Sequence, residues 1–276
     1  MTTPPQSVLE KNAISDKNWQ TLNVQKDHTT TTLTFHRPER QNAFNGAMLG
    51  EIQRVLDLAE ADSNCRIIVL KGENGFFCKG LDLEDVFHHG SEGLDSAEPY
   101  MTVLRRLTLI PRIVVAVVDG QAMAGGLGFV AASDLVLATS RSKFSLPEPI
   151  FGLVPACVGL YLTRRIGVRG ALKMSLTSET VAAAKALTLG LVDEVTDTPE
   201  TLLARLSVHA ARLQDRTIRD IKRFFREIDP IDASREQGAV AETHRLMQDS
   251  SVRAAIAGFV RDRRFPWEIA PSGPGE

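Results

Sequence analysis

The sequence predicts an α/β protein, with a core in which strand, strand and helix recur and a C-terminal region made of helices alone. Short apolar runs such as IVVAVV at residues 113–118 are typical of buried strands, and several are followed by a glycine-containing break and a segment of helical period. Beyond Thr198 only the helical period remains. We therefore expect a core over residues 19–197 and a helical region over 198–268, between a disordered leader at 1–18 and a loose tail at 269–276.

The first half of the chain alternates between strand and helix patterns. The threonine-rich segment 24–35 predicts a hairpin, and apolar residues from Met48 to Ala59 recur at helical spacing. Asp82 can cap a helix that begins beside it, and Pro111 helps to end a later helix. The remaining predicted segments are a strand at 66–70, a loop with three glycines at 72–80, a polar excursion at 88–98 and a helix at 100–109.

The second half begins with the strand at 113–118, after which the chain breaks at Asp119-Gly120. A helix is expected from Gly125 and a strand at 135–138. Three short helices are then predicted, at residues 160–166, 171–176 and 181–189. Four longer helical segments complete the chain, at residues 201–213, 217–227, 231–247 and 252–263.

Composition excludes several functional classes. Among 276 residues, 32 basic and 34 acidic side chains give a formal charge of −2, so no global basic field points to nucleic acid. No apolar run is long enough to cross a bilayer, and the polar N-terminus has no signal-peptide core. Cys65, Cys78 and Cys157 lack both CxxC pairing and metal-ligand spacing. We expect a cytoplasmic protein with reduced thiols, no metal, no cofactor and no nucleotide-binding loop.

The stretch QAMAGGLGFVAASD at residues 121–134 is the most informative part of the chain. A helix that begins at Gly125-Gly126 presents free backbone N–H groups and the positive end of its dipole. Because glycine has no side chain, a ligand oxygen can approach these groups closely. The stretch therefore predicts a backbone anion hole for an enolate oxygen. On spacing alone, an equal alternative is that the glycines only pack the helix against a strand.

Three segments in this order resemble the enoyl-CoA hydratase/isomerase, or crotonase, family: FFCKGLDLE at 76–84, AMAGGLG at 122–128 and FSLPEPIFGLVP at 144–155. The resemblance implies a crotonase (ClpP-like) spiral of β-β-α turns, a helical trimerisation region and thioester substrates. It also implies that the backbone N–H groups of Leu81 and Gly125 hold the enolate. Further residues that the matched segments assign to substrate binding are Lys79, Gly80, Asp82, Gly126 and Ala156.

A narrower resemblance is carried by GGLGFV at 125–130, Pro-Ala-Cys at 155–157 and the ending FPWE at 265–268. These segments are similar to crotonase-fold dehydratases of polyketide β-branching, which dehydrate a 3-hydroxy-3-methylglutaryl thioester on an acyl carrier protein. Where the typical hydratase has two glutamates, this chain has Glu148 but Gly128, and Ala156 replaces a glycine near the catalytic water. Both departures argue against simple hydration. An enoyl-CoA isomerase or hydratase, and a non-catalytic thioester-binding protein, remain alternatives.

Glu148 is the expected general acid/base, since a proline on each side restricts its backbone. We expect it to remove the α proton and then to protonate the departing hydroxyl. His88, His89, Tyr100, Cys157 and Tyr161 carry exchangeable protons but receive no role. The arginines recurring between Arg212 and Arg226 could meet an acidic carrier protein or the phosphates of CoA; a solvated helix face is the alternative. Lys79 could contact a phosphate or the distal carboxylate of the substrate. A homotrimer or hexamer is expected.

Overall fold

The larger of the two sheets in the described residues has six strands. The strands of both sheets are numbered together in chain order. Those of the larger sheet are β1 Leu22–Asp27, β2 Thr30–Phe35, β3 Ile67–Lys71, β5 Ile113–Val118, β7 Leu135–Ala138 and β10 Glu194–Val195, in the sheet order 1-2-3-5-7-10. The first pair is antiparallel and the others are parallel. The computed structural model describes residues 18–89 and 96–268. The predicted tail, nearly all of the predicted leader and part of the polar excursion lie outside the described residues.

The smaller sheet consists of four very short strands: β4 Phe76–Cys78, β6 Gln121–Met123, β8 Lys143–Ser145 and β9 Val181–Ala182. Each of β3, β5 and β7 in the larger sheet is followed at once by a strand of this smaller sheet. The chain thus winds as a spiral of β-β-α turns, as the sequence predicted. The prediction of a loop over the whole of residues 72–80 is wrong, because this segment contains β4. A strand of three residues is too short to show an alternating pattern of apolar and polar side chains.

Among the described residues, six helices belong to the spiral: α1 Gly46–Ala61, α2 Leu83–His89, α3 Ala97–Leu109, α4 Gly125–Ala132, α5 Ala156–Thr177 and α6 Ala183–Thr188. The side chain of Asn45 caps α1 by accepting from the backbone N–H of Met48 at 3.1 Å. The helices predicted at 160–166 and 171–176 belong to the single element α5. Its one non-helical residue is Gly167, at φ 72°, which interrupts the apolar period and makes the sequence suggest two helices.

Four helices follow the spiral: α7 Pro199–Ala210, α8 Asp215–Ile228, α9 Ala233–Gln248 and α10 Ser250–Asp262. The first packs under the larger sheet, α9 packs on α3 and α5, and α10 packs on α2. The boundary near residue 197 stays a prediction, since Ala239 and Val240 of α9 belong to the same hydrophobic core as the spiral. No helix in the described ranges is both long and apolar enough to span a bilayer.

Buried charges hold the C-terminal helices to the spiral. Glu236 of α9 is 4% exposed, and its carboxylate pairs with Arg105 at 2.8 Å and Arg226 at 3.4 Å. Tyr161 donates its hydroxyl to the same carboxylate at 3.3 Å. Lys222 of α8 lies 2.7 Å from Asp134 and donates to two backbone carbonyls of the core.

The basic stripe predicted along residues 212–226 is divided in the structure. Lys222 and Arg226 are turned toward the core, where they pair with the carboxylates of Asp134 and Glu236. Arg223 instead pairs with Glu227 on its own helix at 3.1 Å. The stripe is therefore no continuous basic surface, because helical spacing alone does not tell which side of an amphipathic helix meets the core.

We expect Glu236→Ala to lower the free energy of unfolding by about 3 kcal/mol, because it leaves two partly buried arginines without their carboxylate. Chemical denaturation monitored by circular dichroism measures this change. The matched control is Glu242→Ala on the same helix, where Glu242 forms an exposed pair with Arg245 and little change is expected. Equal losses in the two variants would contradict the assignment of Glu236 as the anchor.

Candidate active site

A cavity of about 650 Å³ lies between the spiral and the C-terminal helices. This volume suits a small organic ligand. Six of the eight residues predicted to form the site line it: Lys79, Leu81, Asp82, Gly125, Glu148 and Ala156. Side chains from α3, α9 and α10 close the wall, including Tyr100, Thr243 and Phe259. The structure therefore brings together motifs that are far apart in the sequence.

The backbone N–H of Leu81 is left free by the pairing of its neighbours. Phe44 forms a parallel bridge with Leu81, in which the N–H of Phe44 donates to the carbonyl of Gly80 at 2.8 Å and the N–H of Asp82 donates to the carbonyl of Phe44 at 2.9 Å. In a parallel ladder these bonds involve the peptides on either side, so the bridged residue's own N–H points away from the pairing strand. No described residue accepts from the Leu81 N–H.

The second free amide belongs to Gly125, the first residue of α4. A residue in this position has no acceptor within its own helix. Ala124 before it has φ 47° and ψ −129°, a rarely populated conformation that sets the direction of the Gly125 N–H. An added Cβ at Gly80 would lie only 3.0 Å from the Gly125 nitrogen. The two free amides therefore come from segments in direct contact.

Gly80 and Gly126 are the two predicted site residues that do not line the cavity. An added Cβ at Gly126 would lie 2.2 Å from the carbonyl oxygen of Cys78, so glycine is what lets α4 pack on β4. Asp82 borders the cavity, but its oxygens are engaged. One accepts from Arg37 at 2.8 Å, and the other accepts from the backbone N–H groups that open α2, as the predicted cap requires.

Glu148 opens a short 3₁₀ turn between two prolines. The residue as a whole is partly exposed, but its Oε2 is inaccessible to solvent and has no hydrogen-bond partner among the described residues. Burial raises the pKa of Glu148 to about 7, with a small opposing effect from a backbone hydrogen bond. A carboxyl group with a pKa near neutrality can both accept and release a proton, which suits general acid–base chemistry.

Two aromatic residues of the site are not assigned by the sequence. The Tyr100 hydroxyl donates to the carbonyl of Gly125 at 2.5 Å, and its ring stacks on that of Phe44 with centroids 4.7 Å apart. Burial raises the pKa of Tyr100 well above its ordinary value, so the hydroxyl stays protonated. Neither residue lies in a recognisable motif, and only the tertiary structure brings them to the cavity.

The other residues named for their exchangeable protons are less closely involved in the site. Cys157 lines the cavity, where its Sγ lies 3.6 Å from the hydroxyl of Thr243. Tyr161 does not line the cavity and His88 is exposed; the side chain of His89 lies outside the described part of the structure. Within residues 18–89 and 96–268, no group of three His, Cys, Asp or Glu side chains is arranged to hold a metal ion.

The cavity rim carries a cation without a carboxylate partner. The Nζ of Lys79 lies 6.0 Å from the centroid of the Phe259 ring, and no salt bridge joins it to another described residue. Burial and the nearby Arg263 guanidinium lower the pKa of Lys79. Arg263 itself pairs with Glu84 at 2.7 Å. The rim thus offers positive charge to an anionic group of a ligand.

Comparisons with known proteins agree with the fold. The family model described as enoyl-CoA hydratase/isomerase matches residues 25–269. The chain is 32% identical over 253 residues to the bacillaene synthase dehydratase PksH of Bacillus subtilis, covering 91% of this chain and 97% of that protein. It is 33% identical over 177 residues to 1,2-epoxyphenylacetyl-CoA isomerase of Escherichia coli, covering 62% of this chain and 67% of that enzyme.

A solved Bacillus subtilis structure, described as a polyketide biosynthesis enoyl-CoA hydratase (pksH), superposes with a TM-score of 0.86 at 30% identity. The superposition covers 90% of this chain and all of that one. The chain therefore belongs to the enoyl-CoA hydratase/isomerase family and has the crotonase fold. Among its relatives it resembles a polyketide dehydratase over most of its length, and it is an enzyme of the hydratase and dehydratase type.

The raised pKa of Glu148 makes a prediction about stability. Its folded-state pKa of about 7 exceeds the ordinary value of 4.5, so this residue's contribution to stability is fully present below pH 4.5 and is lost as pH rises through about 7. We expect the Glu148→Gln variant to show no such loss of stability as pH rises through about 7. The variant should be more stable than the wild type at pH 8, and the difference should shrink as pH falls toward 5.

Urea denaturation at a series of pH values measures the effect. Glu39→Gln is the control, because Glu39 borders the same cavity but is exposed. If Glu148→Gln and the wild type showed parallel pH profiles, the carboxyl of Glu148 would not be buried as described.

Proposed function

We propose that this protein is a hydro-lyase that dehydrates 3-hydroxy-3-methylglutaryl-acyl carrier protein to 3-methylglutaconyl-acyl carrier protein during polyketide β-branching. The observation that carries the proposal is the carboxyl of Glu148, whose Oε2 is buried without a hydrogen-bond partner among the described residues, in one cavity with the free amides of Leu81 and Gly125. The likeness to the dehydratase PksH over nearly its whole length supports the polyketide setting.

The reaction begins with removal of the α proton of the thioester by the Glu148 carboxylate. The electron pair moves onto the thioester oxygen, and the resulting enolate accepts hydrogen bonds from the N–H groups of Leu81 and Gly125. Donors already in place in a dry site stabilise this charge without reorganisation, and one such donor typically contributes about 3 kcal/mol to lowering the barrier. Without them, an α proton is too weakly acidic for a carboxylate to remove.

The second step returns the electron pair from the oxygen. The carbon–carbon double bond forms, the β carbon–oxygen bond breaks, and the protonated Glu148 gives its proton to the departing hydroxyl. Water leaves and the carboxylate is regenerated. One carboxyl serves both steps if the α proton and the hydroxyl leave from the same face, and a pKa of about 7 suits a group that takes and then releases a proton.

Lys79 is proposed to bind the distal carboxylate of the substrate. Its ammonium lies at the rim of an otherwise largely apolar wall and forms no ion pair within the described residues. A charge-assisted hydrogen bond from such a group contributes both affinity and specificity. Arg40 and Arg263 also border the cavity, and they provide further positive charge for an acidic carrier or its phosphopantetheine arm.

An enoyl-CoA isomerase or hydratase is the second candidate. The lone carboxyl of Glu148 would also suffice to move a proton between two carbons, and a relative is a CoA-thioester isomerase. A non-catalytic thioester-binding protein is the third candidate, motivated by the glycine at position 128. It is less well supported, because a binding protein gains nothing from a buried carboxyl without a partner.

A homotrimer or a dimer of trimers in the cytoplasm is also proposed. Exposed apolar side chains on α5 and α8 support self-association, since surfaces of this kind mark protein interfaces. They are Val168, Leu172, Leu176, Ile221, Phe224, Phe225 and Ile228. The three cysteines are buried and unpaired, which suits a reducing compartment.

Mass spectrometry of the carrier-bound substrate tests the reaction. We expect the wild type to convert 3-hydroxy-3-methylglutaryl-acyl carrier protein to a species lighter by one water. Glu148→Gln should slow this conversion by at least about 100-fold, because general acid–base catalysis is lost, whereas Glu39→Gln should not. Unchanged mass with a displaced double bond on an enoyl thioester would instead support the isomerase. Binding of the carrier without any turnover would support the third candidate.

Substrates with and without the distal carboxylate test Lys79. We expect Lys79→Gln to lower kcat/KM about tenfold or more for the 3-hydroxy-3-methylglutaryl thioester, because a hydrogen bond between charged groups is lost. The same substitution should have little effect with a 3-hydroxy-3-methylbutyryl thioester. Lys173→Gln, at an exposed position on α5, is the control. Equal losses with both substrates would assign Lys79 to the carrier's phosphate.

A further inference from the structure

The aromatic pair Phe44 and Tyr100 contacts both segments that carry the free amides. The backbone of Phe44 bonds to Gly80 and Asp82, on either side of Leu81. Its ring lies so close to Gly125 that an added Cβ there would be 2.6 Å from a ring carbon. The ring of Tyr100 stacks on that of Phe44, and its hydroxyl lies 2.5 Å from the Gly125 carbonyl oxygen.

Gly125 needs such support for a physical reason. Glycine has more backbone freedom than any other residue, and the first residue of a helix has no hydrogen bond from its own N–H to hold it. An anion hole works only when its donors are fixed before charge develops. The hydroxyl of Tyr100 supplies a fixed point on the carbonyl of the same residue, and the ring of Phe44 restrains its Cα.

The hydroxyl of Tyr100 also occupies the space in front of Gly128. An added Cβ at Gly128 would lie 1.9 Å from the Tyr100 oxygen, a distance at which one of the two must move. The observed position of the Tyr100 hydroxyl and a side chain at position 128 are therefore mutually exclusive. The glycine at 128, which removes one acid/base group from the sequence motif, is at the same time what admits the tyrosine.

We propose that Tyr100 is a positioning residue of the anion hole: its hydroxyl fixes the Gly125 peptide through the carbonyl, in a space that only glycine at position 128 leaves open. The inference rests on the proposed function in one respect, namely that the Gly125 N–H donates a hydrogen bond to the enolate oxygen. Tyr100 is not assigned a proton transfer, because its one hydroxyl hydrogen is already donated to Gly125.

Binding of acetoacetyl-pantetheine tests the inference without depending on the natural substrate or its carrier. This thioester ionises to an enolate with its own ultraviolet absorbance, so the fraction of bound ligand in the enolate form reports how well the anion hole stabilises negative charge. We expect the wild type to favour the bound enolate. Tyr100→Phe keeps the stacking on Phe44 but removes the hydrogen bond, and should lower the ratio of enolate to neutral ligand about three- to tenfold.

Tyr161→Phe is the matched control, because Tyr161 is also a buried tyrosine with a hydrogen-bonded hydroxyl but does not line the cavity. It should leave the enolate ratio unchanged. The inference is overturned if Tyr100→Phe leaves the ratio unchanged, or if Tyr161→Phe lowers it equally, since the effect would then come from general loosening. Absence of an enolate signal in the wild type would also overturn it.

Gly128→Ala provides a second, independent variant in which the tyrosine is intact but its hydroxyl is displaced. It should lower the enolate ratio as Tyr100→Phe does, and the double variant should lose no more than either single one, because both remove the same hydrogen bond. Additive losses would contradict the inference. If the wild type gave the enolate signal but failed to dehydrate 3-hydroxy-3-methylglutaryl-acyl carrier protein, the proposed reaction would fail while the role of Tyr100 would stand.

Discussion

The parallel bridge between Phe44 and Leu81 is the interaction on which the rest of the site depends. It engages the carbonyl of Gly80 and the N–H of Asp82, and so leaves the N–H of Leu81 directed away from its partner strand. The same residue, Phe44, places its ring against Gly125, the start of α4. One residue outside every recognised motif thereby sets the distance between two amides that the sequence separates by more than forty positions.

The sequence predicts the parts of this arrangement that depend on local pattern. Apolar runs and helical periods locate the long strands and helices, and the glycine pair at the start of α4 indicates a free amide. Gly125 is singled out because absence of a side chain is visible in a sequence. Phe44 is not singled out and Tyr100 receives no role, because the contacts of an aromatic residue in a helix or loop are unknown until its neighbours are known.

Two further differences between the predictions from the sequence and the structure have the same cause. The strands of the smaller sheet are at most three residues long, so pairing with distant partners defines them rather than any period of their own. The basic stripe on α8 follows helical spacing, but the side chains turned toward the core are those that pair with the carboxylates of Asp134 and Glu236. In both cases the deciding interaction is made with a residue far away along the chain, which no local window contains.

The site is also where the structure carries its unfavourable features. Ala124 has a positive φ, a conformation that costs about 1–3 kcal/mol outside glycine. Oε2 of Glu148 is buried without a partner among the described residues, and Leu81 and Gly125 have N–H groups that no described residue accepts from. Each of these features lowers the stability of the folded protein, and a more stable sequence would lack them. Their occurrence around a single cavity is what a binding site for negative charge and a moving proton requires, because a ligand must supply the missing partners. The combination of the Glu148 carboxyl with a tyrosine-filled space at Gly128 further restricts the chemistry, since position 128 cannot then supply a second carboxyl. Elimination across one face, or transfer of a proton between carbons, meets that restriction, whereas a reaction that needs two carboxylates does not.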